Sequence, residues 1–149
     1  MDERGLRWSA AARHPALLRG RGRLRLLLDT HALLWAAEDR LDRRARKAIE
    51  EVDDAVFVSA ATIWEIEIKR ARARLQAPED VLELVEQSGF ERLAITFEHA
   101  REAGRLPPLH ADPFDRMLIA QARLEGMTLA TGDEAIWRYD VPVLRVTHD

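Results

Sequence analysis

The feature that most constrains the fold is a short apolar run that ends in an acid and leads directly into a helical pattern. Residues 24–28 read LRLLL, Asp29 follows, and apolar residues then recur at helical spacing as far as Trp35. This pattern favours a buried strand that feeds a helix, as in parallel α/β sheets. Asp29 then lies at the carboxyl end of the strand, where such sheets bind ligands, although a helix cap would explain it equally well.

The same alternation of strand and helix continues along the chain. Further strands are predicted at residues 55–59, 90–95, 128–131 and 141–146, and Pro142 places the last one at a sheet edge. The longest intervening helices are predicted from Ser59 to about residue 75, with a buried stripe that includes Trp64 and Ile68, and from residue 113 to Gly126. The alternation predicts a three-layer α/β/α sandwich with a mainly parallel central sheet.

Length and composition fit one such domain, which we place at residues 24–147 of the 149. The chain has no cysteine, which excludes disulfides, zinc-thiolate sites and iron–sulfur clusters and favours a cytoplasmic location. It also has no apolar run long enough to span a membrane. Residues 1–25 hold seven arginines and two acids. We interpret residues 1–23 as a basic, flexible N-terminal extension or a consequence of start-site choice, with an RNA-contacting arm as the alternative.

Three more acids are predicted to reach the edge where Asp29 lies. Glu65 is in an early turn of the helix after the second strand, Asp115 is the third residue of the helix capped by Asp112, and Asp133 follows the fourth strand. Each has a local explanation as a cap or a solvated surface acid. Four converging carboxylates repel one another unless a cation is bound, and oxygen ligands without cysteine or paired histidines favour Mg²⁺ or Mn²⁺.

Four stretches that contain these acids resemble one protein family. They read LLLDTHALLW, VSAATIWEIEIK, HADPFDRMLIAQA and LATGD, in this order. In these stretches the sequence resembles the PIN-domain ribonucleases, specifically the VapC-type toxins of type II toxin–antitoxin systems. The resemblance implies a PIN-like α/β/α sandwich, a Mg²⁺- or Mn²⁺-dependent endoribonuclease, a homodimer and a cognate VapB-type antitoxin. The extension before residue 24 departs from the family pattern.

The resemblance also assigns roles to individual residues. By position, Asp29, Glu65 and Asp115 match the invariant acids of the family, and Asp133 matches its more variable fourth acid. These four are therefore the expected catalytic and metal-binding residues. The small hydroxyl residues that assist the site in this family correspond to Thr30 and Thr131.

The resulting hypothesis is hydrolysis of RNA phosphodiester bonds by metal-activated water, with Lys69 and Arg116 as phosphate contacts. A metal-free ribonuclease would instead use the 2′-hydroxyl of its substrate and a histidine, for which His31 and His110 are the candidates. A non-catalytic RNA- or protein-binding PIN module is the alternative from another class. An aspartyl-phosphate phosphatase would want a second acid two residues after Asp29, at the position of His31.

Overall fold

The structure, a computed structural model, describes residues 24–51, 55–73, 75 and 77–148. The interpretation of residues 1–23 therefore lies outside the described residues. Within these described residues, five strands and six helices follow one another in the order β1 Leu26–Leu28, α1 Thr30–Ala37, α2 Arg43–Glu50, β2 Val56–Ser59, α3 Ala60–Ala71, α4 Val81–Gln87, β3 Glu91–Leu93, α5 Phe97–Arg105, α6 Pro113–Glu125, β4 Thr128–Thr131 and β5 Val143–Arg145, with a 3-10 turn at Ile136–Arg138 before β5.

All strand pairs in the sheet are parallel, and the spatial order is β3-β2-β1-β4-β5. The strand that opens the domain therefore lies at its centre. The chain adds β2 and β3 on one side of β1 and then adds β4 and β5 on the other side. In parallel sheets, ligands bind outside the carboxyl ends of the strands at such a reversal of strand order. Here that point lies between β1 and β4, where Asp29 and Asp133 follow their strands.

The central strand is buried on both faces, which makes the domain three layers thick. Leu26 and Leu28 pack into a core shared with α1, α2 and α4, whereas Leu27 packs with α5 and α6 on the opposite face. None of the three leucines has exposed surface. This alternation follows from the period of two along a strand. The predicted three-layer α/β/α sandwich is confirmed.

Helix α3 differs from the prediction in its end point and in the face that it buries. It ends at Ala71 rather than near residue 75, and the side chain of Trp64 is 61% exposed, so the predicted buried stripe is wrong. The helix contacts both α1 and α6, and this buries Glu65 and Ile66 instead. Trp64 packs edge-on against the ring of Phe114 in α6, with 5.2 Å between ring centroids.

The C-terminal segment is also attached more firmly than a free tail would be. His148 forms an antiparallel bridge with Leu41, and its ring lies 4.7 Å from the ring of Trp35. The described chain is therefore anchored as far as His148, and Asp149 lies outside the described residues. None of the described helices is long and apolar enough to cross a membrane.

Candidate metal centre

The carboxylate of Asp29 lies at the junction of β1 and α1 and is almost completely buried. It caps α1, since its Oδ1 accepts a hydrogen bond from the backbone N–H of Ala32 at 2.7 Å. Burial raises the pKa of Asp29, while hydrogen bonds from the Thr131 hydroxyl and the Ala32 N–H act in the opposite direction. Asp29 can therefore cap α1 and also take part in the candidate site, because the capping hydrogen bond leaves further lone pairs of its carboxylate available.

Glu65 approaches from the second turn of α3 and is tied to the same junction. Its Oε1 accepts a hydrogen bond from the hydroxyl of Thr30 at 2.5 Å, and its Oε2 pairs with the ammonium of Lys69 at 2.5 Å. The hydrogen bond to Glu65 raises the pKa of Lys69. A carboxylate that is only 3% exposed needs such partners, because burial without them is costly. Thr30 thus fixes one oxygen of Glu65 beside Asp29.

Asp115 comes from the first turn of α6, but its side chain does not cap the helix. That role belongs to Asp112, whose Oδ1 accepts the backbone N–H of Asp115 at 3.1 Å. The carboxylate of Asp115 is left to accept a hydrogen bond from His110 Nε2 at 2.8 Å. Burial, the charge of Asp112, and the more distant charges of Asp29 and Glu65 raise the pKa of Asp115 to about 7, against the effect of the His110 hydrogen bond.

Asp133 follows β4 and is the most exposed member of the group, with 41% of its side chain accessible. Its backbone N–H donates to the Thr131 hydroxyl oxygen at 3.0 Å, and its Oδ1 accepts from Ala135 N–H at 2.9 Å. The other oxygen, Oδ2, lies 3.3 Å from His110 Nε2. The hydroxyl of Thr131 therefore connects Asp133 to Asp29, since it accepts from one residue and donates to the other.

The residue between Thr131 and Asp133 is required to be small. A Cβ atom at Gly132 would lie 2.8 Å from the carbonyl oxygen of Val146 and 3.2 Å from the ring of Trp35. Contacts of that length are well inside van der Waals distance, and one of them involves backbone. Glycine therefore allows the chain to turn sharply from β4 and bring Asp133 back to the edge of the sheet.

The structure brings the four predicted acids into one electrostatic group. The charge of Asp133 acts on the pKa of Asp29, and the charges of Asp29 and Glu65 act on that of Asp115. His110 joins this group, although sequence reasoning considered it only for a metal-free reaction. Partial burial acts to lower the pKa of His110, but the hydrogen bond with Asp115 and the surrounding carboxylates raise it overall. The spacing HADPFD, with histidine and aspartate on either side of a proline turn, is the sequence signal that could have placed His110 here.

Arg116, predicted to contact phosphate, makes several hydrogen bonds within the protein. Its guanidinium donates to the end of α5, to the loop before α6 and to the residue after the 3-10 turn, namely the carbonyl oxygens of Ala103, Leu106, Pro107 and His110 and the hydroxyl of Tyr139. The donor–acceptor distances run from 2.9 to 3.4 Å. We therefore assign Arg116 to holding this loop, since its terminal nitrogens already have acceptors within the protein.

The donor set of this site fits a hard divalent cation. Four carboxylates supply oxygen ligands, and burial together with the charges of neighbouring carboxylates raises the pKa of Asp115 to about 7. Carboxylate oxygens are the ligands that Mg²⁺ and Mn²⁺ prefer in proteins. The residues that could hold such an ion are Asp29, Glu65, Asp115 and Asp133, with His110 beside the last two.

Comparisons with known proteins agree with this architecture. The sequence matches the PIN domain family over residues 26–142. The fold is similar to that of a chain in the structure of VapBC2 from Rickettsia felis bound to a DNA fragment from its promoter, with a TM-score of 0.58, 12% identity, and coverage of 83% of this chain and 100% of that one.

Two further structures share the fold. FitAcB from Neisseria gonorrhoeae matches with a TM-score of 0.58, 22% identity and coverage of 80% of this chain and 96% of that one. A toxin–antitoxin complex from Klebsiella pneumoniae matches with a TM-score of 0.57, 19% identity and coverage of 80% and 95%. No curated protein matches the sequence. At these identities the structural matches concern the fold alone.

Proposed function

This chain belongs to the PIN domain family, and on that premise we propose that it is the toxin of a type II toxin–antitoxin system and a Mg²⁺- or Mn²⁺-dependent endoribonuclease. The observation that carries the proposal is electrostatic: the charge of Asp133 acts on the pKa of Asp29, and the charges of Asp29 and Glu65 act on that of Asp115. Four carboxylates with no cation would repel an RNA phosphate. With a divalent ion bound, the same group becomes a site that attracts one.

The acids and the threonines of the site have different proposed roles. Asp29, Glu65, Asp115 and Asp133 would hold the ion, which supplies charge neutralisation at phosphorus and activates water for attack. Thr30 and Thr131 orient the carboxylates of Glu65 and Asp29 through their hydroxyl groups. Fixed ligand geometry of this kind matters because a loosely held carboxylate binds a small ion weakly.

Lys69 is the remaining candidate for a phosphate contact. About a third of its side chain is exposed, and its ammonium lies beside Glu65 and within reach of the charges of Asp112 and Asp115. A cation at the rim of an acidic site can meet a phosphate oxygen of the substrate while the acids face the metal.

The proposed partners are an RNA substrate, a VapB-type antitoxin and a second copy of the chain. Support for a protein partner comes from exposed apolar side chains: Trp64 is 61% exposed, Leu82 48% and Phe97 90%. Exposed aromatic side chains of this size are enriched where proteins associate. Two of the structures with a similar fold are described as a VapBC complex and a toxin–antitoxin complex, which agrees with this proposal.

The test is cleavage of a mixed RNA pool by purified, antitoxin-free protein in Mg²⁺ or Mn²⁺ and then in EDTA. We expect cleavage that requires the metal and that is lost in Asp29→Asn. The matched control is Asp80→Asn, because Asp80 also caps a helix, accepting from Glu83 N–H at 3.0 Å, but lies in an exposed turn at α4. If the folded wild-type protein cuts nothing with either metal, a non-catalytic binding module becomes the better explanation.

The chemistry of the products separates the two ribonuclease mechanisms. Attack by water leaves a 5′-phosphate and a 3′-hydroxyl, whereas a metal-free reaction through the 2′-hydroxyl leaves a 2′,3′-cyclic phosphate. We expect the 5′-phosphate. A cyclic product that persists in EDTA would favour the histidine-based alternative, in which His110 is the better-placed candidate because it already contacts Asp115.

A further inference from the structure

We propose that His110 is a direct nitrogen ligand of the metal ion, so that the site is a mixed nitrogen–oxygen site that favours Mn²⁺ over Mg²⁺. The proposal rests on the proposed metal-dependent function and specifies its cofactor. Ligand atoms of His110, Asp115 and Asp133 lie within 4.8 Å of one another. All three residues are partly accessible, so an ion can reach them from solvent.

The distances between these atoms match neighbouring positions around one ion. His110 Nε2 lies 2.8 Å from Asp115 Oδ2 and 3.3 Å from Asp133 Oδ2. Ligands about 2.1 Å from an octahedral ion are about 3.0 Å apart when they occupy adjacent positions. The same imidazole nitrogen faces both carboxylates. It donates to Asp115 in the metal-free protein, and it would bind an ion after releasing that proton.

Both the backbone N–H and the backbone carbonyl of His110 form hydrogen bonds with side chains. Its N–H donates to the hydroxyl of Tyr139 at 2.8 Å, and its carbonyl oxygen accepts from Arg116 at 3.3 Å. Tyr139 in turn donates to the carbonyl of Pro107 at 2.8 Å, and Arg116 also binds the carbonyl of Leu106 at 2.9 Å. A histidine that only balanced surface charge would not need such support. Positioned outer groups of this kind orient metal ligands and raise their affinity.

A nitrogen ligand changes which ion the site prefers. Mg²⁺ favours oxygen ligands almost exclusively, whereas imidazole is a good ligand for first-row transition metals. Replacing His110 should therefore weaken Mn²⁺ binding much more than Mg²⁺ binding. Removal of an outer-shell group costs about 10–100-fold in metal affinity, so the loss of a direct ligand should cost Mn²⁺ at least about tenfold.

The experiment is pulsed EPR on the full chain loaded with less than one equivalent of Mn²⁺, together with calorimetric titration of Mn²⁺ and Mg²⁺. We expect ¹⁴N coupling from a bound imidazole in the wild type and its loss in His110→Asn. We also expect Mn²⁺ affinity to fall at least about tenfold, by the scale given above, while Mg²⁺ affinity changes much less. Thermal melts of each variant check that it is folded.

The matched control is His31→Asn, because His31 is exposed, its charge acts on the pKa of Asp29, and its ring lies 5.7 Å from that of Trp35. It should keep the nitrogen signal. Wild-type protein that binds Mn²⁺ without ¹⁴N coupling, or a signal that survives His110→Asn, would overturn the inference while leaving the metal-dependent function intact. Absence of any Mn²⁺ or Mg²⁺ binding would overturn the proposed function itself.

Discussion

Replacing Asp115 with asparagine should make the metal-free protein more stable above neutral pH while it removes the proposed activity. The pKa of Asp115 is raised from its ordinary value of 3.8 to about 7, with burial as the largest cause. An acid whose pKa is higher in the folded state binds a proton more tightly there, so its ionisation opposes folding. The penalty is absent below about pH 4, grows as the pH rises from about 4 to about 7, and is complete above that.

The size of the effect follows from the same shift. At about 1.36 kcal/mol per pKa unit, the full penalty is about 4 kcal/mol. The pKa of about 7 already includes the opposing effect of the hydrogen bond from His110, so that bond needs no separate deduction. The gain in the free energy of unfolding at pH 8 is therefore at most about 4 kcal/mol, or at most roughly 15 °C in melting temperature for a domain of this size.

The assay is thermal and urea unfolding in EDTA at pH values from 4.5 to 8.5, with wild type and Asp115→Asn measured side by side. The difference between the two should widen with increasing pH. Added Mg²⁺ or Mn²⁺ should stabilise the wild type more than the variant, because a ligand stabilises the form that binds it. A difference that stays constant across this range, or that favours the wild type at pH 8 in EDTA, would refute the reasoning.

Three further substitutions test separate parts of the structure. Thr131→Val keeps the shape of the side chain but removes the hydroxyl shared by Asp29 and the turn after β4. Calorimetry should then show weaker metal binding, and urea unfolding should show a free energy of unfolding lower by about 1–3 kcal/mol. Unchanged metal affinity would contradict the orienting role of Thr131. Gly132→Ala places a Cβ 2.8 Å from a backbone carbonyl oxygen, so it should cost about 1–3 kcal/mol, and a melting temperature equal to wild type would show that the turn can relax. Asp42→Ala removes the cap of α2 and should cost about 1 kcal/mol at pH 7. The hydrogen bond from Thr147 lowers the pKa of Asp42, so the loss of stability caused by the substitution should be complete above about pH 4 and should shrink as the pH falls further. A loss of stability that is independent of pH would argue against that hydrogen bond.

Sequence reasoning located all five described strands, although most are shorter than predicted, because the position of a strand depends on local pattern. The strand at 128–131 has the predicted limits, and α1 follows β1 directly, as the pattern around Asp29 predicts. The cap at Asp112 followed by Pro113 begins α6 as its residue types require. The convergence of the acids followed from parallel topology alone, since every strand carboxyl end reaches one edge.

The orientation of α3 was harder to predict, because apolar periodicity assumes that the most apolar face is the buried one. Here the protein buries the carboxylate of Glu65, which is stabilised by Thr30 and Lys69, and leaves most of Trp64 exposed. Thr30 is 35 residues away in the sequence, so no local pattern could reveal that partner. A buried acid at a functional site is a common reason for such a mismatch between pattern and packing.

The contacts of Arg116 and His110 were hidden from the sequence for a related reason. A basic residue next to a predicted ligand is naturally interpreted as a substrate contact, whereas Arg116 binds the carbonyl oxygens of a loop that cannot form helix. Backbone acceptors in such a loop need donors, and the amino-acid sequence does not indicate which side chain supplies them. The position of His110 depends on this loop, and its spacing before Asp115 is the one sequence signal for it.

The edges of the sheet have a consequence for how copies of this chain can associate. Both edge strands, β3 and β5, are only three residues long, and each exposes charged side chains: Glu91 and Arg92 on β3, and Arg145 on β5. Short, charged edges are poor templates for the addition of a strand from a neighbouring molecule. Self-association must then proceed through helices or loops, and concentrated protein should resist conversion into cross-β fibres.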